Sequence, residues 1–129
     1  MKNPFETEEH RAFRDSIRNF VAKEIQPYCD EWDEAGEIPW ELHQKLGAFG
    51  VWGFGIDEKY GGLGFDDCFL RSAYSEELAR CGAGGVTAAM AGRTISIEPI
   101  ARLACDEIKD RVLQEIISGR KGSSLGVTE

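Results

Sequence analysis

At 129 residues the chain is long enough to form one domain with a buried core. Its composition, 42% hydrophobic and 29% charged, is typical of a globular protein and excludes a largely disordered one. The formal net charge of -8 disfavours nucleic acid and anionic membrane surfaces as partners, because the average field repels phosphate groups.

Two features of the sequence predict a cytoplasmic location. Residues 1–6 lead into a charged stretch and lack the apolar segment of a secretory signal. The most apolar window, residues 47–56, is too short and too rich in glycine to cross a bilayer, which needs about 20 residues.

The cysteines and histidines do not follow a metal-binding pattern. No CxxC pair occurs, and His10 and His43 stand apart from each other and from the cysteines. We therefore expect no metal site and no disulfide, as is usual for thiols in a reducing compartment. The four cysteines are Cys29, Cys68, Cys81 and Cys105.

Hydrophobic residues at helical spacing predict the first helix. Thr7 is its expected N-cap, and Glu8 and Glu9 follow at positions where the helix dipole favours negative charge. Pro27 should end or kink this helix. The predicted apolar face consists of Phe13, Ile17, Phe20, Val21 and Ile25.

Shorter elements are predicted before residue 66. Residues 28–36 indicate an irregular helical stretch, and Pro39 suits the first position of a second helix that Gly47 and Gly50 should end. Residues 51–65 contain five glycines and therefore predict a structured loop.

The next region predicts a surface helix and then a central one. Asp66 or Asp67 is the expected N-cap of a helix that stops at Gly82. Residues 86–96 carry few charges on any face, which predicts a helix at the centre of the core, with a bend marked by Pro99.

The end of the chain changes character. A last helix should open at Asp106 and end at Gly119, whereas residues 123–129 alternate weakly like the start of a β-strand. The pattern therefore predicts an all-α fold: an orthogonal or up-down bundle of about five to six helices in residues 1–122, followed by the beginning of a strand.

Two glycine clusters, residues 61–64 and 82–85, raise the question of a phosphate-binding loop. Neither matches the GxxxxGK[ST] or the GxGxxG pattern, and neither follows a convincing strand. We interpret both as turns.

Charged residues offer few catalytic candidates. Glu76 and Glu77, with Glu107 and Asp110 farther along the chain, could supply an acid–base pair. No nucleophile or histidine accompanies them, so we expect these carboxylates to face solvent. Arg93 and Glu98 are the polar exceptions around the central helix. Each either reaches a neighbouring helix or the surface through its long side chain, or, for Arg93, faces a ligand or another domain.

The ordered set of motifs resembles the N-terminal helical domain of the acyl-CoA dehydrogenase family over essentially the whole chain. The Tyr-Gly-Gly-x-Gly motif at residues 60–64 and Glu-Glu-Leu-Ala-Arg at residues 76–80 carry the resemblance as an ordered pair. Further matching segments are residues 38–46, 50–53, 99–100, 118–122 and 127–129.

The resemblance implies a flavoenzyme that oxidises an acyl-CoA thioester between its α and β carbons, in fatty acid or amino acid catabolism. Such an enzyme uses FAD, passes electrons to an electron-transfer flavoprotein and is a homo-oligomer when complete. Residues 123–129 would be the first strand of a following β-barrel domain. The catalytic glutamate would lie in a later C-terminal part, so we expect residues 1–129 alone to carry no catalytic residue, to be inactive and to retain no FAD.

The resemblance also assigns binding residues. The residues expected to contact the flavin ring are Leu125, Val127 and Thr128, the last by a hydrogen bond to its polar edge. The residues expected to line the acyl channel, at successive turns of the central helix, are Thr87, Ala91 and Ile95. Arg93 departs from the pattern expected for that helix, which leaves an aromatic, branched or polar acyl group open.

Two other functions remain possible from the sequence. A relative with the same architecture could use flavin on another substrate, because a fold does not determine chemistry. Alternatively, the chain could be a non-enzymatic helical module that binds partners through exposed apolar surface. If the helices normally pack on absent domains, the chain should expose apolar patches and associate with itself.

Overall fold

In the computed structural model, residues 4–124 and Gly126 are described, and these residues contain helices and loops without a strand. The prediction of an all-α fold is confirmed. The chain divides into two compact units: unit 1 comprises Met1–Glu37 with Asp67–Thr87, and unit 2 comprises Ile38–Asp66 with Ala88–Glu129. The α-helices of the described residues are α1 (Glu8–Phe20), α2 (Cys29–Ala35), α3 (Trp40–Ala48), α4 (Cys68–Ala79), α5 (Gly84–Ala91), α6 (Arg93–Leu103) and α7 (Asp106–Ile117).

Unit 1 is built on the packing of α1 against α4. The predicted N-cap and apolar face of α1 are confirmed, since Thr7 caps the helix and Ile17 is fully buried. Helical geometry then continues through a π-helical segment, Val21–Ile25, and a 3-10 turn around Pro27. Pro27 therefore lies in a short 3-10 turn between the π-helical segment and α2, a position that suits its missing N–H and fixed φ.

The N-termini of α1 and α4 are joined through one histidine. The Thr7 side chain accepts a hydrogen bond from the His10 backbone (3.2 Å), while His10 Nδ1 accepts one from the Thr7 backbone (3.1 Å). Because Nδ1 is an acceptor, Nε2 carries the proton and donates to Asp67 Oδ2 at 3.0 Å. Asp67 is the N-cap of α4, which resolves the choice between the two predicted aspartates.

Toward the C-terminal ends of α1 and α4, the buried carboxylate of Glu77 links the two helices. Glu77 is only 2% exposed, and Arg18 donates to both of its oxygens, from Nε at 3.0 Å and from Nη2 at 2.8 Å. Arg14 contacts the same carboxylate (3.5 Å) and also pairs with Glu76 and Glu6. The hydrogen bonds from Arg18 lower the pKa of Glu77 despite its burial.

Unit 2 contains α3, the glycine-rich loop, α6 and α7. The loop is structured as predicted: the Leu63 N–H donates to the Gly53 carbonyl at 2.9 Å, and Trp52 is buried. Gly47 was expected to help end α3, but it lies within the helix. A Cβ at this position would stand 2.5 Å from the backbone of Ser118. Glycine at this position therefore permits the close approach of α3 to the end of α7.

Arg93 occupies an aromatic box in unit 2. Its guanidinium carbon lies 4.6 Å from the Trp52 ring centre and 5.2 Å from that of Trp40, and Nη1 donates to the Lys121 carbonyl at 2.7 Å. The side chain is 4% exposed. Of the two interpretations left open by the sequence, the structure therefore shows the one in which Arg93 packs onto neighbouring elements, through cation–π contacts and a charge-assisted hydrogen bond.

His43 lies beside the same box. Its ring is 4.7 Å from Trp40 and 6.3 Å from Trp52, and its Nδ1 is buried and has no hydrogen-bond partner among the described residues. Burial lowers the pKa of His43 to about 4, and the charge of Arg93 acts in the same direction. The imidazole is therefore neutral in the folded protein at neutral pH.

The helix predicted for residues 86–96 is two helices. The break falls at Gly92, between α5 and α6. Pro99, where a bend was predicted, lies inside α6. A Cβ at Gly92 would lie 2.8 Å from the Ala88 carbonyl, so the turn of the chain requires glycine there. Pro99 is tolerated inside α6, where its side chain is exposed.

We expect Glu77→Gln to lower the free energy of unfolding by about 3 kcal/mol, because it leaves the arginines without a buried counter-charge. Urea denaturation followed by circular dichroism measures the effect. Glu76→Gln is the matched control: Glu76 is 62% exposed, and its loss should cost less than about 1 kcal/mol. Equal losses for the two variants would contradict a structural role for the buried carboxylate.

We expect His43 to contribute an acid-sensitive part of the stability. Its folded-state pKa is lowered below the value of 6.5 in the unfolded chain, so the unfolded state binds more protons between about pH 6.5 and pH 4. This contribution is present above pH 6.5 and falls by about 2 kcal/mol from pH 7 to pH 5.

The substitution His43→Phe removes the titrating group while keeping an aromatic ring. Urea unfolding at pH 7 and pH 5 should therefore show a smaller loss for this variant than for the wild type. Gln44→Ala, at the exposed neighbouring position, should keep the wild-type loss. An unchanged loss in the His43 variant would show that the buried imidazole is not responsible.

Candidate functional site

The three residues predicted to line an acyl channel lie on α5 and α6. Thr87 and Ala91 are one turn apart on α5, and Ile95 lies in the first turn of α6, beyond the break at Gly92. The expectation of one continuous helix carrying all three is therefore wrong. Their role in binding a substrate stays a prediction.

The hydroxyl group of Thr87 is hydrogen-bonded within unit 1. Its hydroxyl donates to the Ala83 carbonyl at 3.0 Å, one turn earlier, and lies 3.8 Å from Cys81 Sγ. The side chain is half-buried. With the hydroxyl bound to the helix backbone, the methyl group is the part of Thr87 best able to contact an apolar ligand.

Ala91 is half-buried at the end of α5. Its carbonyl accepts a hydrogen bond from Thr94 Oγ1 at 2.9 Å, which satisfies a group that the end of a helix leaves without an intrahelical partner. The small side chain occupies little space beside the turn at Gly92.

One face of α6 is apolar and exposed. Ile95, Pro99 and Leu103 recur every four residues, and we call them the α6 stripe; Ile95 is 57% exposed and Leu103 is 84% exposed. On other sides of the helix, Arg93 and Ile97 are buried. The four-residue spacing was visible in the sequence and could have identified Pro99 and Leu103 as companions of Ile95.

The polypeptide after α7 is held by α6. Beside the bond from Arg93 to the Lys121 carbonyl, the hydroxyl groups of Ser96 and Ser123 lie 2.6 Å apart. These two contacts fix the segment that leads toward the predicted flavin-contacting residues. Those residues, Leu125, Val127 and Thr128, lie outside the described part of the chain.

Three carboxylates that the sequence singles out take part in ion pairs. Glu77 was expected to face solvent, but it is buried beneath Arg18. Asp110 pairs with Lys59 at 3.1 Å, and Glu98 lies 3.8 Å from Arg102. A carboxylate held between arginines is a poor general base, because its conjugate acid is disfavoured.

Unit 1 contains a cavity of about 420 Å³ near the buried carboxylate. Two arginines face it, and both pair with the Glu77 carboxylate, Arg18 at 2.8 Å and Arg80 at 3.5 Å. The lining residues are Arg18, Val21, Ala22, Gln26, Glu77 and Arg80. None of the residues assigned to acyl or flavin binding is among them.

The described residues offer neither a metal site nor a membrane-spanning helix. They contain no group of three or more histidine, cysteine, aspartate or glutamate residues placed to hold a metal ion. Among the same residues, every helix is too short or too polar to cross a membrane.

Comparison with known proteins gives one consistent family. The family described as "Acyl-CoA dehydrogenase, N-terminal domain" matches residues 7–120. The chain is 32% identical over 123 residues to the probable acyl-CoA dehydrogenase YngJ of Bacillus subtilis, covering 95% of this chain and 32% of that protein. It is 33% identical to the mitochondrial long-chain specific acyl-CoA dehydrogenase of Rattus norvegicus, covering 94% of this chain and 28% of that protein.

Solved structures agree. A probable acyl-CoA dehydrogenase from Mycobacterium abscessus superposes with a TM-score of 0.85 and 34% identity, covering 95% of this chain and 33% of the other. An acyl-CoA dehydrogenase from Bacillus anthracis, complexed with FAD, shares the fold with a TM-score of 0.77 and 23% identity, covering 94% of this chain and 21% of the other.

The chain thus spans about a third of the length of the curated relatives that it matches. The match to the family's N-terminal domain covers all of α1 to α7, together with the motifs at residues 60–64 and 76–80. The chain therefore belongs to the acyl-CoA dehydrogenase family and corresponds to the N-terminal domain of its members.

Proposed function

We propose that the chain is the N-terminal domain of an FAD-dependent acyl-CoA dehydrogenase and that it forms part of the acyl-binding wall of that enzyme. The reaction is removal of two hydrogens from the α and β carbons of an acyl-CoA thioester. The observation that carries the proposal is the family match over residues 7–120.

The exposed α6 stripe supports an acyl-binding role. An acyl chain is apolar and gains free energy when it leaves water for an apolar wall, at roughly 25 cal/mol per Å² buried. Ile95 presents more than half of its side-chain surface, and it follows Ala91 and Thr87 at four-residue intervals. In this proposal, Thr87, Ala91 and Ile95 contact the acyl chain and contribute no reacting group.

The flavin belongs to the complete enzyme. When bound, FAD accepts the hydride from the substrate's β carbon. The assignment of Leu125, Val127 and Thr128 to the flavin ring rests on the family resemblance. The bonds from Arg93 to the Lys121 carbonyl and from Ser96 to Ser123 hold the segment that precedes these residues.

The complete enzyme would pass its electrons to an electron-transfer flavoprotein and would form a homo-oligomer, as the family resemblance implies. The base that removes the α proton would come from polypeptide outside residues 1–129. This division of roles is consistent with the state of Glu77, whose carboxylate is held by Arg18 and is therefore a poor base.

The proposal is tested with the full-length, FAD-loaded protein under anaerobic conditions. Acyl-CoA esters of increasing chain length should bleach the flavin absorbance, because reduction removes the oxidised chromophore. We expect Ala91→Phe to weaken the response to the longest effective ester at least about tenfold, since the larger ring takes the space of the acyl chain; tenfold corresponds to about 1.4 kcal/mol. A shorter ester should be affected less.

The matched control is Ala89→Phe, an exposed position on the opposite side of α5. It should leave the titrations unchanged. Absence of bleaching with every ester in the wild type would reject the dehydrogenase activity. Normal bleaching by all esters in the Ala91 variant would instead reject the acyl-wall assignment alone.

A further inference from the structure

The described lining of the cavity in unit 1 includes none of the residues assigned to acyl or flavin binding. One side of the cavity is the end of α1 with the π-helical segment that follows, and the other side is the end of α4. Its volume of about 420 Å³ lies within the range of small-molecule sites, roughly 300–1,000 Å³. The cavity is therefore large enough to hold a small ligand.

The π-helical segment supplies one wall of this cavity. The Gln26 N–H donates to the Val21 carbonyl five residues earlier, whereas an α-helical bond would span four residues. The wider turn brings Val21, Ala22 and Gln26 to the same cavity. Val21 and Ala22 offer hydrocarbon surface, and Gln26 offers an amide that both donates and accepts hydrogen bonds. Single π turns of this kind are frequent at functional sites.

Arg80, on the opposite wall, is a cation with unused hydrogen-bonding capacity. Its side chain is 65% exposed, and among the described residues it pairs with Glu77 alone, through Nε at 3.5 Å. The two terminal nitrogens of its guanidinium therefore keep their N–H groups in the fork geometry that matches a carboxylate. Arg18 differs, because its Nε and Nη2 donate to Glu77 and its Nη1 donates to Asp15.

The charges around the cavity favour a ligand with a single negative charge. The described lining contains two arginines and one carboxylate, which leaves one positive charge. Glu77 remains ionised, because the hydrogen bonds from Arg18 lower its pKa. The next carboxylates, Asp15 and Glu76, are 67% and 62% exposed, so solvent screens them. A dianion such as phosphate would be repelled by Glu77 more strongly than a monoanion.

We propose that this cavity binds a small organic monocarboxylate with a short hydrocarbon chain. The carboxylate accepts hydrogen bonds from the terminal nitrogens of Arg80, with the Gln26 amide as a further donor, and the hydrocarbon packs on Val21 and Ala22. Bidentate bonds between arginine and a carboxylate are among the strong polar contacts of proteins. The apolar wall favours an organic acid over inorganic phosphate, which has no hydrocarbon to remove from water. This site does not rest on the proposed dehydrogenase function.

The test measures how butanoate protects Arg80 from phenylglyoxal, which modifies arginine side chains. The full-length, FAD-loaded protein is treated with the reagent at constant ionic strength, with and without about 20 mM butanoate, and modification is followed by peptide mapping. With a dissociation constant on the order of 1 mM, butanoate should slow the modification of Arg80 at least about tenfold. Because each arginine is mapped separately, butanoate bound elsewhere on the enzyme does not affect the result.

The same samples contain two controls. Arg111, an exposed arginine of α7 outside the described lining, should be modified at the same rate with and without butanoate. Inorganic phosphate at equal ionic strength should slow the modification of Arg80 less than about twofold, because it lacks a hydrocarbon chain and carries more charge.

A variant tests the wall that faces Arg80. Ala22→Asp adds a negative charge at an exposed position of the lining and should reduce the protection by butanoate at least about fivefold, since like charges repel. The matched control is Asn19→Asp, which adds the same charge at an exposed position of α1 outside the described lining and should keep most of the protection. Circular dichroism verifies that both variants fold.

Four results would overturn the proposal. The first is an unchanged rate of Arg80 modification in the presence of butanoate, and the second is equal slowing of Arg80 and Arg111. The third is protection by phosphate that equals or exceeds protection by butanoate, which would indicate a phosphate site. The fourth is full protection in a folded Ala22→Asp variant. None of these results depends on flavin bleaching, so they leave the dehydrogenase proposal standing.

Discussion

Unit 2 depends on the burial of one cation, the guanidinium of Arg93. A buried charge is unfavourable unless its environment replaces water, and here two indole rings and a backbone carbonyl do so. Because Trp40 begins α3 and Trp52 lies in the glycine-rich loop, a single side chain of α6 contacts three separate segments. The position of α6, and with it the exposed Ile95, follows from this arrangement.

The same cation sets the chemical state of its neighbour. His43 is buried close to Arg93, so both desolvation and repulsion keep its imidazole neutral. Unit 1 uses the opposite solution, since Glu77 keeps its charge because Arg18 and Arg14 supply hydrogen bonds and positive charge. These two buried polar centres are structural, and neither supplies a free acid or base.

Much of the fold could be predicted from local patterns. Thr7, Asp67 and Gly119 act at helix ends as their side chains or their conformational freedom suggest, because such signals depend only on nearby backbone. The burial of Glu77 could not be predicted, because it depends on Arg14 and Arg18 of α1, a helix that is distant in sequence and packs against α4. The division of the central helix at Gly92 was missed, because a single glycine inside a helical pattern is usually tolerated.

The candidate site was predicted less completely than the fold. Family resemblance selected Thr87, Ala91 and Ile95, and the structure adds that Ile95 lies on an exposed apolar stripe. The flavin-contacting assignment concerns residues outside the described part of the chain. The exposed α6 stripe and the ion-paired state of the buried Glu77 fit the proposed role, which is to bind and orient a substrate whose reacting groups are supplied elsewhere.

The proposed function requires the acyl chain of the substrate to lie against α5 and α6. Its most direct test is photo-crosslinking of the full-length, FAD-loaded protein with an acyl-CoA that carries a diazirine in its acyl chain, followed by peptide mapping. The account predicts labelling within residues 84–103, reduced by an excess of unmodified acyl-CoA. Competable labelling confined to the cavity beside Arg18 and Glu77, or absent from residues 1–129, would contradict it.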